Sequence, residues 1–404
     1  MEGNQTQIPK GWKSTKLGSV CKIKKGVQFN KIELSGFGTY PCINGGIDPS
    51  GYSELWNTNE NTITISEGGN SCGYVNLVKT KFWSGGHCYS LLELDKEVDN
   101  DFLYQALKGR QHLIMDLRVG SGLPNIQQKA IKEFEFLIPD DKPEQAQIAS
   151  ILSKVDEAIA QTEQLIAKYT RIKTGLMQDL LTKGIDEHGN IRSEATHEFK
   201  DSPLSRIPKE WECEMLGNNN IELHNNKRKP ISSKERANMI GDYPYYGATG
   251  IIDMLNVYRV DGEFVLFGED GDHFLKWVYQ EQTILTNGKF NVSNHAHIVK
   301  GTSKCSTKWI HYFFCHRDIT YYLTRQGAGR FKLNKASLLS LPILLPKSKE
   351  EQIAIIDRIE KVNQYSDELK NKYAKLQSLK TGLMQDLLSG KVRVNHLIKE
   401  TANA

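Results

Sequence analysis

The nonapeptide KTGLMQDLL occupies Lys173–Leu181 and recurs without a change at Lys380–Leu388, 207 positions later in a chain of 404 residues. Nine consecutive identities do not arise by chance, so the chain reads as two related halves. Outward from that stretch the frame keeps repeating. IPKGW (Ile8–Trp12) returns as IPKEW (Ile207–Trp211), each followed by LG at Leu17–Gly18 and Leu216–Gly217. TYPCINGG (Thr39–Gly46) has a weaker echo in DYPYYGATG (Asp242–Gly250), and RVGSGLPN (Arg118–Asn125) answers RQGAGRFK (Arg325–Lys332). LIP (Leu137–Pro139) matches LLP (Leu344–Pro346), and QIA recurs at Gln147–Ala149 and Gln352–Ala354. Each half is a globular segment followed by a polar, periodic one. The frames agree and the globular interiors do not.

The periodic segments predict long helices over 143–184 and 349–392. Apolar residues fall at Ile148, Val155, Leu165, Ile172 and Leu176 in the first, and at Ile355, Val362, Leu369, Leu376 and Leu383 in the second. A 3-4 spacing sustained for about four heptads describes a narrow seam, which suits helix-on-helix pairing. Glycines at Gly184 and Gly390 mark the helix ends, while Gly175 and Gly382 signal either close packing or a local break. The remaining divisions are globular segments at 1–142 and 207–348, a polar, turn-rich linker at 185–206 and a tail at 393–404. Strands are expected at Asn61–Ser66 and Glu263–Gly268, both leading into glycine-rich turns, with short helices at Asp101–Leu117 and Lys308–Thr324. The fold class is α/β (α+β): two mixed domains and two long helices suited to pairing, arranged as an internal repeat.

Composition restricts function little. Charged residues make up 25% and the net charge is +4, which permits nucleic-acid binding without announcing it. No apolar run is long enough to span a membrane, and MEGNQTQIPK lacks the order of a secretion signal. Seven cysteines without a CxxC pair point to a reducing compartment, so a cytoplasmic location is expected. No catalytic constellation stands out. A phosphate-cradling P-loop is absent, the order DYPYYG is wrong for a base-gripping methyltransferase loop, and Glu198–Lys200 lacks the upstream carboxylate a nuclease needs. HAH at His295–His297 lies too far from Cys315 and His316 for an ordinary zinc site. Catalytic residues and metal ligands are therefore both expected to be none.

What remains is recognition. Basic residues recur on corresponding stretches in both halves: Lys22, Lys24, Lys25 and Arg118 in the first, Lys227, Arg228, Lys229, Arg325, Arg330 and Lys332 in the second. Lysine and arginine on flexible loops suit phosphates, while Asn, Gln and Arg suit base edges. The candidate polar readers are Asn44, Asn70, Ser121, Asn125, Thr249 and Asn287.

This order of a divergent domain, a helix ending KTGLMQDLL-TKGI, and IPKEW opening a second divergent domain resembles the specificity (S) subunits of type I restriction–modification enzymes. The resemblance covers essentially the whole chain, with signatures at Gln147–Gly184, Phe199–Trp211 and Gln352–Gly390. It implies that each globular segment is a target recognition domain reading one half of a bipartite, asymmetric DNA sequence. It implies that the two helices pair as an antiparallel coiled coil, making the internal repeat pseudo-two-fold, and that they dock two methyltransferase (M) subunits, with two restriction/motor (R) subunits completing the complex. Such a complex directs adenine methylation and restriction in antiviral defence. S-adenosylmethionine, ATP and Mg2+ are then expected on the partners, with no cofactor on this chain. The rival reading is a coiled-coil protein adaptor without sequence-specific DNA binding.

Overall fold

The same strand–loop–strand plan is built twice. In the first half an antiparallel sheet runs in the order Lys22–Lys25, Cys88–Leu92, Thr62–Ser66, Val75–Val78; in the second the order is Ile221–Leu223, Ala296–Gly301, Phe264–Gly268, Thr283–Thr286. A computed structural model describes residues 8–29, 34–120, 122–326 and 330–401. The chain divides into two compact units, Met1–Gln164 with Lys370–Ala404, and Leu165–Leu369. Among the described residues no helix is long and apolar enough to cross a membrane.

The central strands are buried along their length because TITIS and FVLFG put β-branched and aromatic side chains on both faces. A second small sheet in each unit contains the TYPCINGG echo. Tyr40–Ile43 runs parallel to Trp83–Ser84, as Ile240–Tyr246 does to Lys289–Val292. A two-stranded ribbon joins Trp12–Lys16 to Glu135–Pro139 in one unit and Glu212–Met215 to Pro342–Leu345 in the other. The weak echo and the LIP/LLP match are thus structural equivalences.

The long helices run uninterrupted over Lys142–Lys183 and Lys349–Leu387, straight through Gly175 and Gly382. Within the first unit Lys380 pairs with Asp156 at 2.6 Å, and Tyr373 donates to Glu163. Position rises along one helix as it falls along the other, so the pairing is antiparallel. In the second unit the rings of Tyr169 and Tyr365 lie 4.5 Å apart, and Met177, Leu180 and Leu181 share a core with Ile355, Ile356 and Ile359, again antiparallel. Ile148 and Ile355 are fully buried and Leu369 nearly so; Val155, Leu165, Leu176, Val362, Leu376 and Leu383 are half-buried. Ile172 stays exposed; Thr162, earlier on the helix, is buried with its hydroxyl donating to the Ala158 carbonyl.

Each KTGLMQDLL serves the domain of the other half. Leu180 and Leu181 pack with Trp211, Trp309 and Phe313 of the second unit, and Leu387 and Leu388 pack with Trp12, Phe102 and Ile148 of the first. The helices begin under matched constraints. Gln145 accepts the Asp99 N–H at 2.8 Å and Gln352 accepts the Ser306 N–H at 3.1 Å, each anchoring the N-cap of a short helix. The counterpart of Gln352 is therefore Gln145. The QIA triplets at Gln147 and Gln352 coincide only as letters, two residues out of register.

Two expected short helices end early. Asp101–Leu117 is two helices, Asn100–Gly109 and Gln111–Met115, joined at Arg110. Lys308–Thr324 is α-helical only over Thr307–Phe314, with a short 3-10 turn at Thr320–Tyr322. Beyond the α-helix the Asp318 carboxylate takes the N–H and hydroxyl of Thr320, fixing a turn, and Thr324 begins a strand. The segment between the halves is ordered by a hairpin pairing Phe199–Asp201 with Arg206–Pro208. In the tail, Asn395–Thr401 is helical.

Candidate nucleic-acid interface

In each unit two glycine-bearing loops are zipped together beside a carboxylate at a strand end. Glu67 follows strand Thr62–Ser66, and its carbonyl accepts the Ile126 N–H at 2.8 Å; Gly68 bridges Asn125, and Asn125 in turn exchanges backbone hydrogen bonds with Val119. Glu269 follows strand Phe264–Gly268, its carbonyl accepts the Leu333 N–H at 2.7 Å, and Asp270 bridges Lys332. The loops RVGSGLPN and RQGAGRFK are held at corresponding places by the same backbone bond.

The two carboxylates gather the surrounding cations. Lys25 lies 2.5 Å from Glu67, His87 lies 3.6 Å away, and the Tyr89 hydroxyl donates at 3.1 Å. Burial first, and then the Glu67 charge, push the Tyr89 phenol up to about 12, so it acts as a donor. In the second unit Arg228 reaches Glu269 at 2.7 Å and Lys332 at 3.4 Å. His297 is buried 3.8 Å from the same carboxylate, donating from Nε2 to the Leu333 carbonyl and accepting at Nδ1 from Asn225. Burial holds its pKa below the usual histidine value, in keeping with that neutral arrangement. Glu67 and Glu269 are mostly buried, so each preorganises charged side chains at the rim of a loop pair.

The family model of the type I restriction modification DNA specificity domain matches this chain twice, at residues 9–171 and 208–380. The chain belongs to that family. A Mycoplasma pneumoniae protein described as a type I specificity subunit is 27% identical over 82% of this chain and 82% of its own length. A Mycoplasma genitalium relative of the same description is 34% identical, over 59% of this chain and 58% of its own length. A type I restriction enzyme specificity subunit of Methanocaldococcus jannaschii is 24% identical over 97% and 95%. Among solved structures, the S subunit of a type I restriction–modification system from M. genitalium shares the fold with a TM-score of 0.69, at 22% identity over 96% of this chain and 97% of that one.

Each specificity domain distributes its candidate readers unevenly. Lys22 is paired with Glu93 at 2.9 Å, whereas Lys24 has no ion pair among the described residues. Lys22–Lys25 form a strand, but Lys227 lies in a 3-10 turn after the corresponding strand, followed by Arg228 and Lys229. The two basic stretches are therefore not equivalent positions. Lys227 leans over the Phe264 ring at 5.8 Å and Arg325 over Phe331 at 5.0 Å. Lys229, Arg118, Arg330, Asn70, Asn125, Thr249 and Asn287 are exposed. The Asn287 Oδ1 accepts the Gly288 N–H. Asn44 is occupied within the fold, its Oδ1 accepting the His87 N–H at 3.0 Å. Ser121, like the GAG of the second loop, lies outside the described residues.

Sequence reasoning missed Glu67 and Glu269 because it sought cations and base-reading amides. A signal existed: in both halves a glutamate stands directly after the strand that precedes the glycine turn.

Proposed function

We propose that this chain is the non-catalytic DNA-reading subunit of a type I restriction–modification complex. Each specificity domain reads one half of a bipartite target, and the paired helices carry two methyltransferase and two restriction subunits. The observation that carries the reading is the duplicated loop pair with its carboxylate-held cations, present once per domain and built on different surrounding residues. Two related readers in one chain suit two half-sites, just as two-fold dimers suit palindromes. S-adenosylmethionine, ATP and Mg2+ belong to the partners, as does adenine methylation; on this chain the residues organised at the loops bind and orient.

The test is to replace Lys22–Phe136 with the corresponding segment of a relative and to map methylated adenines in cells supplying the methyltransferase subunit. One half of the methylated sequence should change and the other should persist. A swap that alters both halves, or neither, defeats the reading, as does methyl transfer or cleavage by the purified chain alone.

A further inference from the structure

One histidine stands at the same place in both halves. His87 and His295, the second of which opens the HAH triplet, come directly before the strands Cys88–Leu92 and Ala296–Gly301. Their backbones are tied alike. Each carbonyl accepts the N–H of the glutamate at the loop pair, Glu67 at 2.9 Å and Glu269 at 2.8 Å. Each N–H goes to a side-chain oxygen, that of Asn44 at 3.0 Å or of Ser293 at 3.2 Å. The side chains are 62% and 51% exposed, and both turn Nδ1 to a carboxylate. His295 reaches Asp270 at 2.9 Å, within hydrogen-bond distance, and His87 faces Glu67 at 3.6 Å, a contact of charge. Nε2 of neither ring has a hydrogen-bond partner among the described residues.

The residue two places further on has a purely structural task. Tyr89 donates its hydroxyl to the Ile126 carbonyl at 3.1 Å, and His297 donates Nε2 to the Leu333 carbonyl at 2.8 Å. Both tie a strand to the glycine loop. A phenol or an imidazole can do this, and the letter differs between the halves. At 87 and 295 the opposite holds. The histidine stays while its carboxylate moves, from Glu67 in one half to Asp270, one place beyond the equivalent Glu269, in the other. The ring makes no second hydrogen bond that the fold could need, so the retained imidazole has its use outside the chain.

The charges around each ring are matched within its own domain. In the first, Lys25 and Tyr89 share Glu67 with His87. In the second, Arg228, Lys332 and His297 gather on Glu269, while Asp270 and Asp272 act on the buried His273. A carboxylate beside Nδ1 favours the tautomer with the proton on Nδ1, which leaves the Nε2 lone pair as an acceptor. A phosphate offers only acceptors and gains nothing from such a ring. The exocyclic amines of adenine and cytosine in the major groove are donors and do.

We infer that His87 and His295 are base-reading residues, one per domain, each accepting at Nε2 a hydrogen bond from the exocyclic amine of an adenine or cytosine in its half-site. This rests on the reading given under Proposed function. Protonation turns Nε2 from an acceptor into a donor, so the contact is lost as pH falls through the histidine range, from about 8 to about 5.

The experiment uses the full chain assembled with its methyltransferase subunits. Binding is titrated on two duplexes, one carrying the sequence mapped as methylated in cells and one with that sequence scrambled. His87→Asn and His295→Asn keep a polar atom near Nδ1 and remove Nε2; His87→Gln and His295→Gln do the reverse. Each Asn variant should lose about tenfold or more on the mapped duplex and melt as wild type does. It should also lose its preference at one base pair in one methylated half, a different half for each variant. Each Gln variant should stay close to wild type. Selectivity between the duplexes should fall from about pH 8 to about pH 6, and fall less in the His87→Gln, His295→Gln chain. Asn variants that bind and select like wild type overturn the inference and leave the proposed function standing. Affinity for both duplexes that rises together as pH falls, in wild type but not in the variants, would mean a phosphate contact and also overturns it. A wild-type complex that does not distinguish the duplexes defeats the proposed function together with the inference.

Discussion

Arg393 grips Glu144 with two hydrogen bonds, Nε to Oε1 at 2.6 Å and Nη2 to Oε2 at 2.7 Å, across 249 residues of sequence. Glu144 is fully buried, and its guanidinium partner makes the charge tolerable there. In the second unit Glu351 is held in the same way by Arg192, by the Trp211 indole and by the Ile185 N–H. Arg393→Ala would strand the Glu144 carboxylate. Breaking a buried pair costs about 3–5 kcal/mol, and partial exposure of Arg393 places this case near the lower end. A clear drop in melting temperature is expected, largely recovered in the double variant with Glu144→Gln. An unchanged melting temperature in Arg393→Ala would mean that the pair does not tie down the tail.

Glu269 neutralises two candidate DNA-contacting cations at once, Arg228 and Lys332. Glu269→Gln removes one negative charge and frees both. Affinity for non-specific DNA should rise and its dependence on salt should steepen, because more phosphate charge is met by unpaired cations. Discrimination at the half-site read by the second domain should fall, since Arg228 loses its fixed direction. Binding titrations at several salt concentrations check the first claim and a methylation map the second. Identical salt slopes for variant and wild type would place Arg228 and Lys332 away from the duplex.

His311 is buried with its Nδ1 3.0 Å from the Thr283 hydroxyl. Burial, then the charges of His316 and Lys173, hold its pKa down at about 4. The ordinary value is about 6.5, so the folded state resists a proton that the unfolded chain accepts. Stability is full above that ordinary value and is lost as pH falls from there towards about 4, by at most about 1.4 kcal/mol per pH unit from this group. Burial depresses His273 and His297 in the same unit, which adds to the slope. His311→Gln should flatten the fall in melting temperature between these pH values. A variant that melts with the wild-type pH dependence would exclude His311 as its source.

The duplicated plan was legible because the repeated residues sit where both units need the same contact. Leu17 and Leu216 are fully buried and donate their N–H groups to Phe134 and Leu341, and the two loop pairs occupy matching sites. Strand Thr62–Ser66 was legible from its β-branched run, and the pairing of the long helices from their 3-4 spacing, although that spacing does not set their antiparallel direction. What could not be read was which domain each helix end serves. Leu181 lies next in sequence to the linker, and nothing local tells it to pack on Trp211. The contact made by Asn44 was hidden for a related reason. An exposed loop amide and one capping a neighbouring N–H have the same letter, and only the close approach of His87 distinguishes them.

The four helix glycines should respond to alanine with opposite signs. Gly184 has φ +64, and a Cβ there would sit 2.4 Å from both the Trp211 ring and the Glu351 carboxylate. Neither neighbour yields easily, because Trp211 is fully buried and Glu351 is fixed by Arg192. Gly390 has φ +70, and its Cβ would lie 2.9 Å from Trp12 and Pro9. A left-handed alanine costs about 1–2 kcal/mol, and overpacking adds about 1–3 kcal/mol. Gly184→Ala should therefore lose about 2–5 kcal/mol, with Gly390→Ala losing less because its contacts are longer. Gly175→Ala and Gly382→Ala, with open space around an ordinary helical backbone, should each gain about 1 kcal/mol in the isolated chain. Urea unfolding with a constant m-value reads all four on one scale. A gain at Gly184 would mean that the Trp211 contact is not what stops the first helix; a loss at Gly175 would mean that its helix face is already covered within the chain.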